Sequence, residues 1–226
     1  MSLDFSFLSE YYPLYLSGTK NTILLAFFSV LLGTILGTGL ALMKLCKNKI
    51  LKGISIAYIE FIRGTPLLIQ LFIFYYAVLP ALGVNSRGST IFGGNFIGFM
   101  ACIVALSINS GAYVAEIIRA GIESIDKGQM EAARSLGMKK SQAMRYVILP
   151  QAIKNILPAL GNEFIVVIKE SAIVSIIGIQ EIMYNADKIK ALTYDPFPPL
   201  IFAALIYFVL TFTLSKILGV VERRLK

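Results

Sequence analysis

Residues Thr22–Met43 read TILLAFFSVLLGTILGTGLALM, 22 positions without a charge. A helix rising ~1.5 Å per residue over that length crosses the ~30 Å hydrocarbon core of a bilayer. Working outward, Gly64–Ser86 is a charge-free run of 23 residues, extended backward to Ile54 through Glu60 and Arg63, and Pro196–Ser215 is another of 20. Gly88–Ala115 is a fourth, its helix expected to start near Phe96 after a Gly93–Asn95 turn and to end in a polar tail with Glu116 and Arg119. The fifth, Pro150–Ile168, carries Pro158, Gly161, Asn162 and Glu163 close together, and Pro158 predicts a kink or partial unwinding near the midplane. Ser171–Ala191 is interrupted by Gly178, Glu181 and Asp187, which suggests short helices packed outside the bundle rather than a sixth span. The chain is expected to be one all-α transmembrane domain, 1–226, with helices at about 20–45, 54–82, 96–119, 150–168 and 196–220.

Composition agrees. With 57% hydrophobic and 15% charged residues and a mean hydropathy of +0.75, too little polar surface remains for a soluble globule or a disordered chain. No removable leader is expected, because the first residues lack a basic region and the run from Thr22 is long enough to remain a span. The net charge of +8 needs no nucleic acid. Fifteen of the 21 Lys and Arg fall in 44–53, 119–154 and 216–226, and five fall between the opposite helix ends. Basic loops stay in the cytoplasm, so the N-terminus is expected outside and the C-terminus inside. The absence of histidine excludes His-based acid–base catalysis and His metal sites. Cys46 and Cys102 form no C-x-x-C motif and read as small apolar fillers. No metal site is expected.

Between the third and fourth spans, at about 126–149, the chain reads Asp126-Lys-Gly-Gln-Met-Glu131-Ala132-Ala133-Arg134-Ser135-Leu136-Gly137, then nine residues, then Val147-Ile148-Leu149-Pro150. Gln129–Leu136 forms an amphipathic helix, Gly137 admits the positive φ that ends it, and Ser141 can cap a second helix leading to Pro150. Paired alanines let such a knob approach another protein closely, while Glu131 and Arg134 offer charged rim contacts. The loop resembles the EAA loop of bacterial ABC importer permeases: Glu-Ala-Ala, three residues, Gly, nine residues, Ile-x-Leu-Pro, with Val147 as the one departure. The resemblance implies that Glu131, Ala132, Ala133, Arg134 and Gly137 dock on a separate ATPase subunit, which holds the ATP and Mg. No phosphate-binding G-x-x-x-x-G-K-[ST] occurs, so the chain cannot itself be the ATP-hydrolysing motor, and it is expected to bind no cofactor and to be a non-catalytic subunit.

An ionisable residue inside a span costs ~2.5–3.5 kcal/mol, so Glu60, Arg63 and Glu163 are expected to face a cavity or each other. Glu60 and Arg63 can pair at i,i+3, and Gly64-Thr65-Pro66 predicts a kink. The runs Glu60–Leu67, Asn109–Glu116 and Leu160–Glu163 resemble the polar amino-acid subfamily of these permeases. That likeness implies a MetI-like fold with five transmembrane helices per subunit in the bacterial inner membrane. It also implies a second permease subunit, identical or related, two ATPase subunits, an extracytoplasmic solute-binding protein and an amino-acid cargo. Arg63 suits a substrate carboxylate, Glu163 a basic side chain and Asp195 an α-ammonium, and Asn109, Ser110 and Asn162 add neutral polar groups. Two carboxylates and one guanidinium complement a cationic amino acid, arginine, lysine or histidine. In a structural reading Glu163 pairs with Arg63 or Lys169 and Asp195 is only an Asx cap. Alternatives are a glutamine-type importer, or an ion-coupled transporter using Glu60 or Glu163, which leaves the loop unexplained. A membrane enzyme is the weakest alternative, since no nucleophile or metal cluster can be named.

Overall fold

A computed structural model describes residues 5–84 and 96–225, and these described residues are helical with no strand. The expected Gly93–Asn95 turn and Arg87 lie outside them. Helix α1, Leu8–Leu45, starts a dozen residues before the expected boundary and carries Pro13 inside it. Helix α2 (Lys49–Gly64) is capped by the Asn48 side chain, which accepts from Ile50 N at 2.9 Å.

The span expected at 54–82 is two helices, α2 and α3 (Leu67–Ala81), bent by 107°. Pro66 has no N–H and holds Thr65 extended at φ −118°, ψ 144°. The carbonyls freed at the end of α2 are then taken by side chains. The Thr65 hydroxyl donates to Phe61 O (2.9 Å), and the Gln70 amide donates to Ile62 O (2.7 Å) and Thr65 O (3.0 Å).

Helix α4 is Phe96–Glu123, α5 is Lys127–Ser135, α6 is Lys140–Ala143 and α7 is Leu149–Glu170. Two wide π-type turns, Ile73–Val78 and Met144–Ile148, lie just ahead of Pro80 and Pro150. Each contains the carbonyl four residues before the proline, Tyr76 or Tyr146, where a regular turn would clash with the ring. The unwinding expected at Pro158 does not occur: α7 is helical throughout. A proline φ fits a helix, and near 158 no side chain plays the part of Thr65 and Gln70 in stabilising a break. The second loop helix is capped differently from expectation, with Lys139 N donating to Gln142 Oε1 (2.8 Å) rather than by Ser141.

A 3-10 segment, Ser171–Ile177, and the 12-residue α8, Ile182–Thr193, follow, both too short to span. They pack on the bundle, with Ile182, Ala186 and Ile189 buried against Tyr15 and Ala203. Helix α9 is Phe197–Leu225. By length and composition α1, α4 and α9 can each cross a membrane, and the bent α2–α3 pair passes the same test when taken as one broken span. Helix α7 is less apolar, carrying Lys154, Glu163, Lys169 and Glu170.

The core is the α1–α4 seam. Gly33 and Gly37 let the helices touch: a Cβ on Gly37 would lie 2.7 Å from Gly111 O and the Val114 side chain, and one on Gly33 would lie 3.0 Å from Ser110 Cβ. At one end of that seam Lys44 reaches Glu116 at 2.5 Å, and Glu116 also holds Arg119 (2.8 Å), which pairs with Glu123. The polar tail of the sequence reading is thus an ion-pair cluster tying α1 to α4.

Candidate functional site

The loop helix α5 begins where the Asp126 carboxylate accepts from Gly128 N at 2.7 Å. It ends in a Schellman turn: Gly137 N donates to Arg134 O (3.0 Å) and Met138 N to Ala133 O (3.2 Å), with Gly137 at φ +83°. The Arg134 guanidinium adds a bond to Met138 O (2.8 Å). The paired alanines divide their work. Ala133 is 4% exposed and packs inward, whereas Glu131, Ala132, Arg134 and Gly137 face outward beside Leu136, which is 85% exposed. From Lys140 the chain stays helical through the π-type turn into α7, so α6 is joined to α7 without a break, and the turn at 136–139 sets α5 against it.

On α7, Glu163 is 8% exposed and its Oε1 accepts from Ser110 Oγ at 2.8 Å. Among the described residues no cation pairs with it, neither Arg63 nor Lys169. Ser110 is held in place by the Gly33–Gly37 seam, which brings α1 within contact of α4 at that level. The neighbouring Asn109 turns to α3, donating to Gln70 Oε1 at 2.9 Å, and so braces the helix break. Arg63 is exposed and does not pair with Glu60; its guanidinium lies over the Tyr113 ring, 5.5 Å from the centroid. Asn162 is exposed.

Asp195 stands apart. Its Oδ1 accepts from Phe197 N (3.3 Å) as an Asx cap on α9, and it lines a cavity of about 430 Å³ with Glu10 and Ser6 at the start of α1. Of the six residues expected to bind substrate, only Glu163 and Ser110 therefore touch directly within one chain.

Sequence reasoning missed three residues. Gln70 and Tyr113 had no assigned role, although a lone glutamine one turn after Pro66 in an apolar run needs a partner. Glu181, read as an interruption, is 0% exposed in the connector between α7 and α9. It caps α8, accepting from Tyr184 N (2.7 Å), and takes the Tyr207 hydroxyl at 2.5 Å; burial raises its carboxyl to about 7. Asn21 to Gln180 O (2.7 Å) and Asn185 to Leu14 O (2.8 Å) complete a polar lock between α8 and α1.

Residues 22–226 match the family of binding-protein-dependent transport system inner membrane components. The arginine transport system permease protein ArtQ of Bacillus subtilis is 45% identical over 100% of this chain and 99% of its own. A putative glutamine transport system permease protein of Rickettsia bellii is 42% identical over 98% of both. Among solved structures, an amino acid ABC transporter with histidines is 53% identical and superposes at a TM-score of 0.90 over 99% of this chain and 100% of that one. The methionine transporter MetNI shares the fold alone, at 20% identity and a TM-score of 0.71 over 93% and 97%. The all-α, MetI-like architecture, the outward-facing EAA helix and these matches together show that the chain belongs to the binding-protein-dependent transport system inner membrane components, as an amino-acid ABC transporter permease.

Proposed function

We propose that the chain is the permease subunit of an ATP-driven importer of basic amino acids. The observation that carries the cargo class is Glu163: a carboxylate 8% exposed with a serine and no cation for company. A buried charge of that kind is costly unless something neutralises it, and a cationic side chain arriving with the substrate does so. Arg63 and Asn162, exposed in the single chain, face the pathway, with Arg63 receiving the substrate carboxylate. Asp195, beside Glu10 at the start of α9, acts at the outer entrance. The arginine named for the Bacillus relative and the histidines named for the solved neighbour favour this cargo; the glutamine named for the Rickettsia relative supports a second reading, a polar amino-acid importer.

The subunit crosses the bacterial cytoplasmic membrane five times, α7 being the fourth span in chain order, with its basic loops and C-terminus inside. A second permease copy or relative completes the pathway. Two ATPase subunits, which bind ATP and Mg, grip the exposed face of α5, and a solute-binding protein delivers the amino acid outside. Because α6 runs into α7 through continuous helix and α5 is set on α6 by the Gly137 turn, ATPase closure moves Glu163 relative to the pathway and switches access between the two sides.

Replacing Glu163 with Gln in the assembled transporter tests the reading. Arginine-stimulated ATP hydrolysis is expected to fall at least tenfold while copurification with the ATPase persists. Unchanged stimulation and affinity would refute the role of the charge, and stimulation of the wild type by glutamine alone would favour the second reading.

A further inference from the structure

About a turn along α7 from Gly161, where a Cβ would come within 2.4 Å of the Leu218 side chain, a cavity of about 450 Å³ opens between α7 and the last turns of α9. Nothing in the transport mechanism uses it. Ile125 and Leu225 give it an apolar rim, and its polar wall is Gln151, Lys154, Asn155 and Glu222. The donor groups of both amides are engaged: Asn155 Nδ2 donates to Ser124 Oγ (2.9 Å) and Gln151 Nε2 to Val147 O (2.8 Å). Their side-chain oxygens remain as acceptors. Pro158 completes the wall.

The wall therefore presents one flexible cation against the amide oxygens and a carboxylate. A simple anion would meet Glu222 and the amide oxygens, and a simple cation would meet Lys154. A small molecule carrying an anionic and an ammonium group side by side satisfies both, and the volume falls in the ~300–1,000 Å³ range of small-ligand sites.

We propose that this cavity binds a free α-amino acid on the cytoplasmic face, its carboxylate on Lys154 and its ammonium among Glu222 and the amide oxygens. The assignment rests on the function proposed above, which makes an amino acid the cargo and the basic loops cytoplasmic. Since α7 links the knob to Glu163, a ligand wedged between α7 and α9 resists the movement that transport requires. Accumulated product thereby slows its own import.

The test uses the complete transporter with its ATPase in nanodiscs of phosphatidylcholine, with radiolabelled arginine as probe and no binding protein. In the E163Q background, saturable arginine binding is expected to persist, to weaken at least tenfold on Lys154→Gln, and to be retained by Lys154→Arg. Lys154 is exposed, so K154Q is expected to fold and to copurify with the ATPase. In the otherwise wild-type transporter, arginine added on the cytoplasmic side is expected to inhibit ATP hydrolysis, and K154Q to shift that inhibition to at least tenfold higher concentration. Absence of binding in the E163Q background, or K154Q curves that superimpose on their parents, overturns the proposal. Loss of arginine binding when phosphatidylethanolamine is added to the nanodisc also overturns it, naming the lipid headgroup as occupant. Failure of the function proposed above reads differently: the wild type then shows no arginine stimulation with its binding protein, whatever residue 154 is.

Discussion

Glu181 offers a measurement in which the sign and the size both come from the structure. Its carboxyl is fully buried, and burial lifts it from an ordinary value of 4.5 to about 7, against the opposing help of Tyr207 and the first amides of α8. A carboxyl raised in the folded state contributes most to stability below pH 4.5. That contribution is lost as pH rises toward 7 and stays lost above it. At ~1.36 kcal/mol per pH unit the interval amounts to about 3 kcal/mol. Glu181→Gln keeps an oxygen for the Tyr184 amide and removes the titration. Followed by circular dichroism at 222 nm in detergent, the wild type is expected to lose about 6–12 °C of Tm, relative to E181Q, between pH 4.5 and pH 8, using ~2–4 °C per kcal/mol for a chain of this size. If wild type and E181Q move in parallel across that range, Glu181 is not buried as an isolated acid and the lock between α1, α8 and α9 is wrongly described.

Two other substitutions probe the frame and the knob. Gly37→Leu forces a side chain into a contact already closed at 2.7 Å by Gly111 O and Val114, and is expected to cost at least ~1–3 kcal/mol, read as a lowered Tm; an unchanged Tm would refute the seam. Ala132→Arg changes an exposed position, so its Tm is expected within the scatter of surface substitutions, ~0.5 kcal/mol. Copurification with the ATPase and ATP-dependent uptake are both expected to be lost, and retention of both would show that this face of α5 docks nothing.

The two prolines at 66 and 158 show how far local rules reach. Both remove a backbone donor, and both were expected to disturb their helices. Only Pro66 breaks its helix, because Thr65 and Gln70 donate to the freed carbonyls, and Asn109 of α4, 39 residues further on, holds Gln70 in place. A proline in a sequence states a missing hydrogen bond without stating who replaces it. The same limit applies to Arg63 and Glu60, whose i,i+3 spacing permits an ion pair. The tertiary structure instead brings Tyr113 under the guanidinium.

By itself the sequence determined the class of the molecule and the shape of its loop helix. Charge-free runs, the basic loops, Gly137 and the Glu131–Gly137 spacing act within one helix or one turn, and a local rule reads them. Only the tertiary structure decided which polar side chains meet. It joined Ser110 to Glu163 across 53 residues, Tyr207 to Glu181 and Asn185 to Leu14 across 171, and left Asp195 apart from Glu163 as a cap on α9. The physical reason is that hydrogen bonds and charges buried in a bundle are selected by helix-to-helix distance. That distance is set by glycines packing against a neighbour that the local sequence does not name.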